Sequence, residues 1–315
     1  MYNAEQKARF IRDLTVSVSY REVIRGFFNN CEKYENEAGA DLCTFDADRL
    51  RPLFENYAGI RSVSTHVPKT ILRNYAMWCL EHGIEGATDA ALHLDDSVSL
   101  EKIRTRTVRN PKQLQRWMDI LFAPEKDLTT DNVFRAWLWL GYAGLESDDA
   151  LTVLDSELDF DHMLIRHGGA EYPIYREGLA AFQNCAELQS FAFYHPLYTK
   201  ELGRVSGHIL LRGSGGLPTA NVLRARVSAK NRKALENGDT DLNLSYTHIR
   251  MSGIFYRVYQ DELAGMDVDF MNVRELNISS REYEVSSGRN TQDAKRRDFA
   301  RKYRRDYERW KMTLV

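Results

Sequence analysis

Residues 133–142 read VFRAWLWLGY, and a helix built on Trp137, Leu138, Trp139 and Leu140 has no polar side. A helix that is apolar all round is stable only when other elements wrap it. The second half of this chain must therefore build a core around that segment, using neighbours that each offer one apolar face. A length of 315 residues allows for more than that one core. Single cores rarely grow past about 250–300 residues, so two domains are expected.

The first third supplies helices. Tyr20 to Tyr34 puts Val23, Phe27, Cys31 and Tyr34 at helical spacing. Asp46 or Asp48 can cap a helix carrying Leu50, Leu53, Phe54 and Tyr57, with Gly59 at its end. A third helix starts near Ser64 or Thr65, passes through Ile71, Leu72, Tyr75, Ala76, Cys79 and Leu80, and stops at Gly83. These make a helical domain over 1–101. Residues 102–117 are basic, contain Pro111, and read as a linker running into a helix from Lys112 to Leu121. Beyond the apolar helix, a short helix is expected over Ser147–Leu154. HGGAE (167–171) reads as a hairpin turn between 162–166 and 172–175. Further helices are expected at 176–189, 218–236 and 246–264. The second domain, 118–290, is thus mainly α with a small sheet. The tail, 291–315, reads as a basic amphipathic helix with Phe299, Tyr303, Tyr307 and Trp310 on one face.

Charge is distributed unevenly. Lys and Arg number 43 against 45 Asp and Glu, yet residues 121–290 carry 17 basic and 24 acidic groups while 291–315 carry 9 and 4. A chain that grips nucleic acid broadly has a basic domain. Here only 102–117 and the tail are basic. No apolar stretch approaches the roughly 18–20 residues of a membrane span. The amino terminus has no apolar signal core, so a cytoplasmic protein is expected. Cys31, Cys43, Cys79 and Cys185 form no CxxC pair, which fits reduced, buried thiols and no metal or cofactor.

Four blocks, in order, resemble the tyrosine recombinases, or phage integrases. LGYAGLESDDALTVLDSELD (140–159) looks like the family's "TGLR-x-x-E" turn and following strand, with Gly144, Leu145 and Asp149 matching. MLIRHGGAEYPIYREGL (163–179) looks like its hairpin, LLRGSGGLPTANVL (210–223) like the loop and helix that follow, and LSYTHIRMSGIF (244–255) like its "HxLRH" helix. The resemblance implies a mainly α fold: a helical core-binding (SAM-like) domain followed by a recombinase-like catalytic domain with a small β-sheet. MYNAEQKARFI, DLCTFDADRL and RNYAMWCLEHG resemble temperate-phage lytic-cycle repressors, regulators that use this fold to bind operators.

The family's catalytic groups carry over unevenly. Its first arginine falls on Glu146, where a carboxylate repels a phosphate. Its second falls on Arg250. Its histidines fall on Thr247, beside His248, and on Met251. The hairpin lysine has no match, the later His or Trp falls near Arg274, and the nucleophilic tyrosine falls near Tyr283. Losing one preorganised donor at a developing charge costs about 3–4 kcal/mol, and losing the general acid a further factor of roughly 10²–10⁴. The resemblance therefore implies a DNA-binding protein with a degenerate site and a regulatory role, its duplex clamped between the lobes and its phosphates met by Arg104, Arg106, Arg109, Lys112, Arg116 and Arg250.

Other readings stay open at this level. An active strand transferase would use Tyr283 with Arg250, His248 and Arg274. An interaction module would have kept only the fold, in keeping with the acidic 121–290. Arg250 either binds phosphate or pairs with an acid such as Asp241 or Glu262. Glu146, Asp148 and Asp149 either bind a metal or complement a helix dipole, and Gly213–Gly216 is a flexible connection. The tail helix either packs on its own domain or docks on a second copy while its arginines face DNA.

Overall fold

The computed structural model describes residues 1–55, 63–94, 100–122, 128–194, 197–201, 208–212, 217–270 and 289–315. It divides into two compact units, Met1–Ile103 and Arg104–Val315. Among the described residues no helix is long and apolar enough to cross a membrane.

The first unit contains α1 (Ala4–Asp13), α2 (Val18–Ala38), α3 (Ala47–Glu55) and α4 (Val63–Glu81), and α5 (Leu100–Arg104) runs across its boundary with the second unit. Ser17 starts α2 by accepting the Tyr20 N–H at 3.3 Å, and Gly39 ends it at φ +60°. Asp46 accepts the Arg49 N–H at the start of α3. Phe10, Phe28 and Tyr75 meet edge-on at the centre, with ring centroids 5.0–6.0 Å apart. The buried face of α2 is Ile24, Phe27, Phe28, Cys31 and Glu35. Val23, expected inside, is exposed, because the buried stripe runs one residue further along.

A buried ion cluster sits in this core. The Lys7 ammonium donates to the Tyr2 carbonyl at 2.7 Å and to Glu35, and lies 3.3 Å from Asp41 Oδ2. Asp41 also accepts from the Tyr75 hydroxyl at 2.9 Å, and the Leu42 N–H donates to Glu35 at 3.0 Å. Burial raises the Glu35 pKa, against the pull of Lys7.

The second unit wraps α7 (Leu128–Ala143). Around it lie α6 (Pro111–Leu121), α8 (Leu179–Ala186), α9 (Ala220–Glu236) and α10 (Tyr246–Leu263). Trp137, Leu138, Trp139, Leu140 and Tyr142 are all buried, as an apolar helix demands. Helix α10 runs close against α7: a Cβ at Gly253 would lie 1.8 Å from the Tyr142 carbonyl oxygen. The three-stranded antiparallel sheet is β1 (Leu158–Asp159), β2 (Leu164–His167) and β3 (Ala170–Pro173). Gly168 and Gly169 turn the β2–β3 hairpin at φ +59° and +75°. A second hairpin, β4 (Ser190–Tyr194) with β5 (Leu197–Glu201), was not anticipated from sequence. The chain is mainly α with a small sheet.

One expectation needs correcting. The stretch read as a linker is partly core. Thr107 and Val108 are fully buried, the Val108 N–H donates to Ser252 Oγ at 3.0 Å, and the Val108 carbonyl accepts from Trp310 at 3.1 Å. Its basic residues flank an apolar Thr–Val pair that has somewhere to pack. The tail helix α11 (Arg289–Lys311) also packs on its own unit. Tyr303, Tyr307 and Trp310 are buried against Phe255, Tyr259 and Phe270, which is the own-domain packing of the two arrangements left open by the sequence. Lys311 pairs with Glu262 at 2.6 Å and the Tyr307 hydroxyl also donates to Glu262. The Phe299 side chain, Arg274, Tyr283 and Gly213–Gly216 lie outside the described residues.

Candidate functional site

The site is built where α7 ends. Gly144 takes φ +117°, a conformation suited to glycine, and closes the helix with its N–H on Gly141 O and the Leu145 N–H on Leu140 O. The two carbonyls that follow are taken up by α10. Arg250 Nε donates to Gly144 O at 2.8 Å, and the Tyr246 hydroxyl donates to Leu145 O at 3.1 Å. This turn presents Glu146 to Arg250, and their ion pair closes at 3.0 Å. Arg250 is 5% exposed, while the Glu146 side chain is 32% exposed. The guanidinium is therefore committed inward, to one carbonyl and one carboxylate. Its Nη2 has no hydrogen-bond partner among the described residues. Neither Asp241 nor Glu262 is the acid that pairs with it.

Other positions singled out from sequence scatter. Thr247 is exposed, and Met251 is core, its sulfur 3.7 Å from the Tyr303 hydroxyl. His248 stands at the third position of α10 in a reciprocal cap: Ser245 Oγ accepts its N–H and its Nδ1 accepts the Ser245 N–H. Burial, reinforced by the charge of Arg106, pushes its pKa down to about 4, so it is neutral at pH 7. Asp149 opens a short 3-10 turn, and Asp148 lies 3.7 Å from Arg224. In the hairpin, His167 meets Glu157 at 2.9 Å and Thr152 at 3.3 Å, while Arg166 bridges Asp159 and Glu171.

Two residues that sequence reasoning missed share the site's electrostatics. Tyr172 on β3 is half-buried; burial raises its pKa, and the charges of Arg250, Asp149, Arg257 and Glu146 all act on it. Arg257 lies two turns beyond Arg250 on α10 and is half-buried, its pKa lowered by burial and supported by Tyr175 and Asp261. The seven-residue spacing from Arg250 was the available signal, since it places both on one helical face.

Of the basic residues expected to face DNA, Arg109, Lys112 and Arg116 are exposed at the start of α6. Arg104 is exposed and donates to the Val315 carbonyl. Arg106 is half-buried, and its pKa is lowered by burial. A further cationic surface was not anticipated: α9 exposes Arg224, Arg226, Arg232 and Lys233 among small residues such as Ala225 and Ala229. Its periodicity announced a helix, but only packing tells which side faces out.

Residues 1–81 match the family model described as "MrpR, N-terminal core-binding domain". This segment is therefore similar to core-binding domains of the MrpR type. Solved structures similar to the chain include the Tn1549 transposon integrase with circular intermediate DNA (14% identity, 92% of this chain and 97% of that one, TM-score 0.41). Others are a lambda integrase dimer on a core site (11%, 90% and 98%, 0.39) and the XerA recombinase (9%, 92% and 96%, 0.39). No curated protein sequence matches the chain.

Proposed function

We propose that this protein binds duplex DNA without cutting it, as a regulator of the phage-repressor kind acting inside the cell. The Glu146–Arg250 pair carries this reading. Strand transfer needs cations around the scissile phosphate as negative charge builds on its oxygens. Here the arginine at the second of those positions is neutralised by a carboxylate at the first. An anion entering this pocket must displace Glu146 or lie against its charge. His248, neutral and engaged in its cap, adds no positive charge at pH 7.

What remains suited to DNA is exposed positive charge on or beside rigid helices: Lys112 and Arg116 on α6 with Arg109 just before it and Arg104 near in sequence, and Arg226, Arg232 and Lys233 on α9. Such side chains contact phosphates and fix a protein on a duplex. A basic helix is also a shape that enters a major groove. The core-binding domain match over 1–81 is consistent with this use.

The test is a gel shift at about 50–100 mM salt, where non-specific phosphate contacts are still strong, run beside trapping on a nicked suicide duplex. The expected result is a shifted, salt-sensitive complex and no covalent adduct. Absence of a shift with any duplex overturns DNA binding. A covalent adduct that vanishes in Tyr283→Phe overturns the non-cutting part.

A further inference from the structure

We infer that the outward face of the terminal helix α11 is a second polyanion surface, and that its occupant is the sugar–phosphate backbone of the same duplex. The inference rests on the DNA-binding reading above and extends it to an element with no part in the Arg250 pocket.

Three observations carry it. First, the helix is held with one side fixed: Tyr303, Tyr307 and Trp310 are buried, and Trp310 is tied to the Val108 carbonyl. Its opposite side is therefore presented by a rigid element. Second, the charges are sorted by side. Over residues 297–311 there are seven Lys and Arg and three Asp and Glu. Asp306 is turned inward at 4% exposure, whereas Arg297, Arg301, Lys302, Arg304 and Arg305 are exposed, Glu308 being the one exposed acid among the described side chains. Third, Arg297, Arg301, Arg304 and Arg305 follow helical spacing along one stripe. At about 1.5 Å per residue that stripe is roughly 12 Å long. One strand of a duplex passes about three or four phosphates in that length, at about 3.4 Å each.

Charge complementarity selects the occupant. Arginine side chains on a helix match phosphate oxygens in bidentate geometry, and the spacing suits a regular row of them. An acidic face of a second copy, drawn from the net-negative 121–290 region, is the competing occupant and has a distinct signature.

The experiment uses the full chain and a random-sequence duplex, and follows the slope of log binding constant against log salt. Variants are R297Q/R301Q and R297Q/R301Q/R304Q/R305Q. The double variant spares Arg304, which lies over the Phe270 ring at 5.3 Å and contributes to folding. With about 0.9 of slope per phosphate contact, the double variant should lose roughly 2 and the quadruple roughly 3–4, with thermal midpoints unchanged for the double. Replacing the same positions with lysine should keep the slope. A wild-type complex whose slope and affinity are unchanged in the double variant overturns this inference while leaving DNA binding intact. Loss of a salt-sensitive dimer in that variant, with DNA binding unchanged, assigns the face to a second copy and also overturns it. A wild-type protein that binds no duplex removes the underlying reading instead.

Discussion

The two units each bury charge, but with opposite imbalance. In the first, one ammonium serves two carboxylates: Lys7 donates to Tyr2 O and Glu35 and lies 3.3 Å from Asp41 Oδ2, while Glu35 Oε2 and Asp41 Oδ2 accept no hydrogen bond among the described residues, so acceptors are in excess. In the second, one guanidinium faces one carboxylate, and a buried nitrogen of Arg250 is left over. Excess acceptors repel an anion. An excess donor beside a partly exposed carboxylate attracts one as soon as that carboxylate is neutralised. The first cluster ties α1 to α2 and to the Asp41 turn, and it has the marks of a structural device. The second has the marks of an anion site closed by its own chain.

The contrast can be broken most forcefully at Lys7. Lys7→Met leaves Glu35 and Asp41 buried without a cation, and removing one partner of a buried pair costs about 3–5 kcal/mol. Denaturant unfolding of the full chain at pH 7 should show that loss. It should shrink on acidification, because Glu35, already raised by burial, then takes up a proton more readily. A loss below about 1 kcal/mol would mean that the cluster contributes little, and the contrast would collapse.

The second unit responds differently. Glu146→Gln removes a charge that is a third exposed. It should cost less, about 1–2 kcal/mol, well under the full buried-pair penalty. It should also create a response that the wild type lacks: inorganic phosphate should raise the thermal midpoint of Glu146→Gln over a chloride control of equal ionic strength. Ligand at ten times its Kd adds about 1.4 kcal/mol. Equal phosphate response in both proteins would show that Glu146 does not close the site.

How much of this was legible beforehand depends on what each residue answers to. Helix starts answer to local chemistry, so the helices expected at 112–121, 218–236 and 246–264 are found as α6, α9 and α10, capped by Asn110, Thr219 and Ser245. The β2–β3 turn was equally plain from Gly168 and Gly169. The β4–β5 hairpin was not, because no glycine marks its turn in the sequence. Glu146 and Arg250 were both assigned to one site by resemblance to the recombinases. That each is the other's partner needed the third dimension: Glu262, the acid nearer in sequence, is occupied by Tyr307 and Lys311 on α11. Val108 was misread and the tail stripe left open for a common reason. A basic segment reads as solvated until a partner for its few apolar residues is known, and here they are partners of one another, through Trp310.

The smallest effect separates the units by sign. His248 has a folded pKa near 4 against an ordinary value of about 6.5. Between those values the unfolded chain binds the proton more readily, so this group's contribution to stability is lost as pH falls from 6.5 to 4. Because the side chain is half-buried, solvent screening trims the loss to roughly 1–2 kcal/mol. Glu35 in the first unit has the reverse linkage. Its folded pKa is raised, so from its folded value down to its ordinary range near 4.5 acidification favours the folded state. Mild acid should therefore weaken the second unit while supporting the first. His248→Gln isolates the effect, because glutamine at the third helical position can replace the imidazole in a reciprocal cap with Ser245. The variant should match the wild type at pH 7 within a few tenths of a kcal/mol and unfold with a flatter pH dependence between 6.5 and 4. If wild type and variant lose stability in parallel over that range, the proton is binding elsewhere, and His248 is no more than a cap.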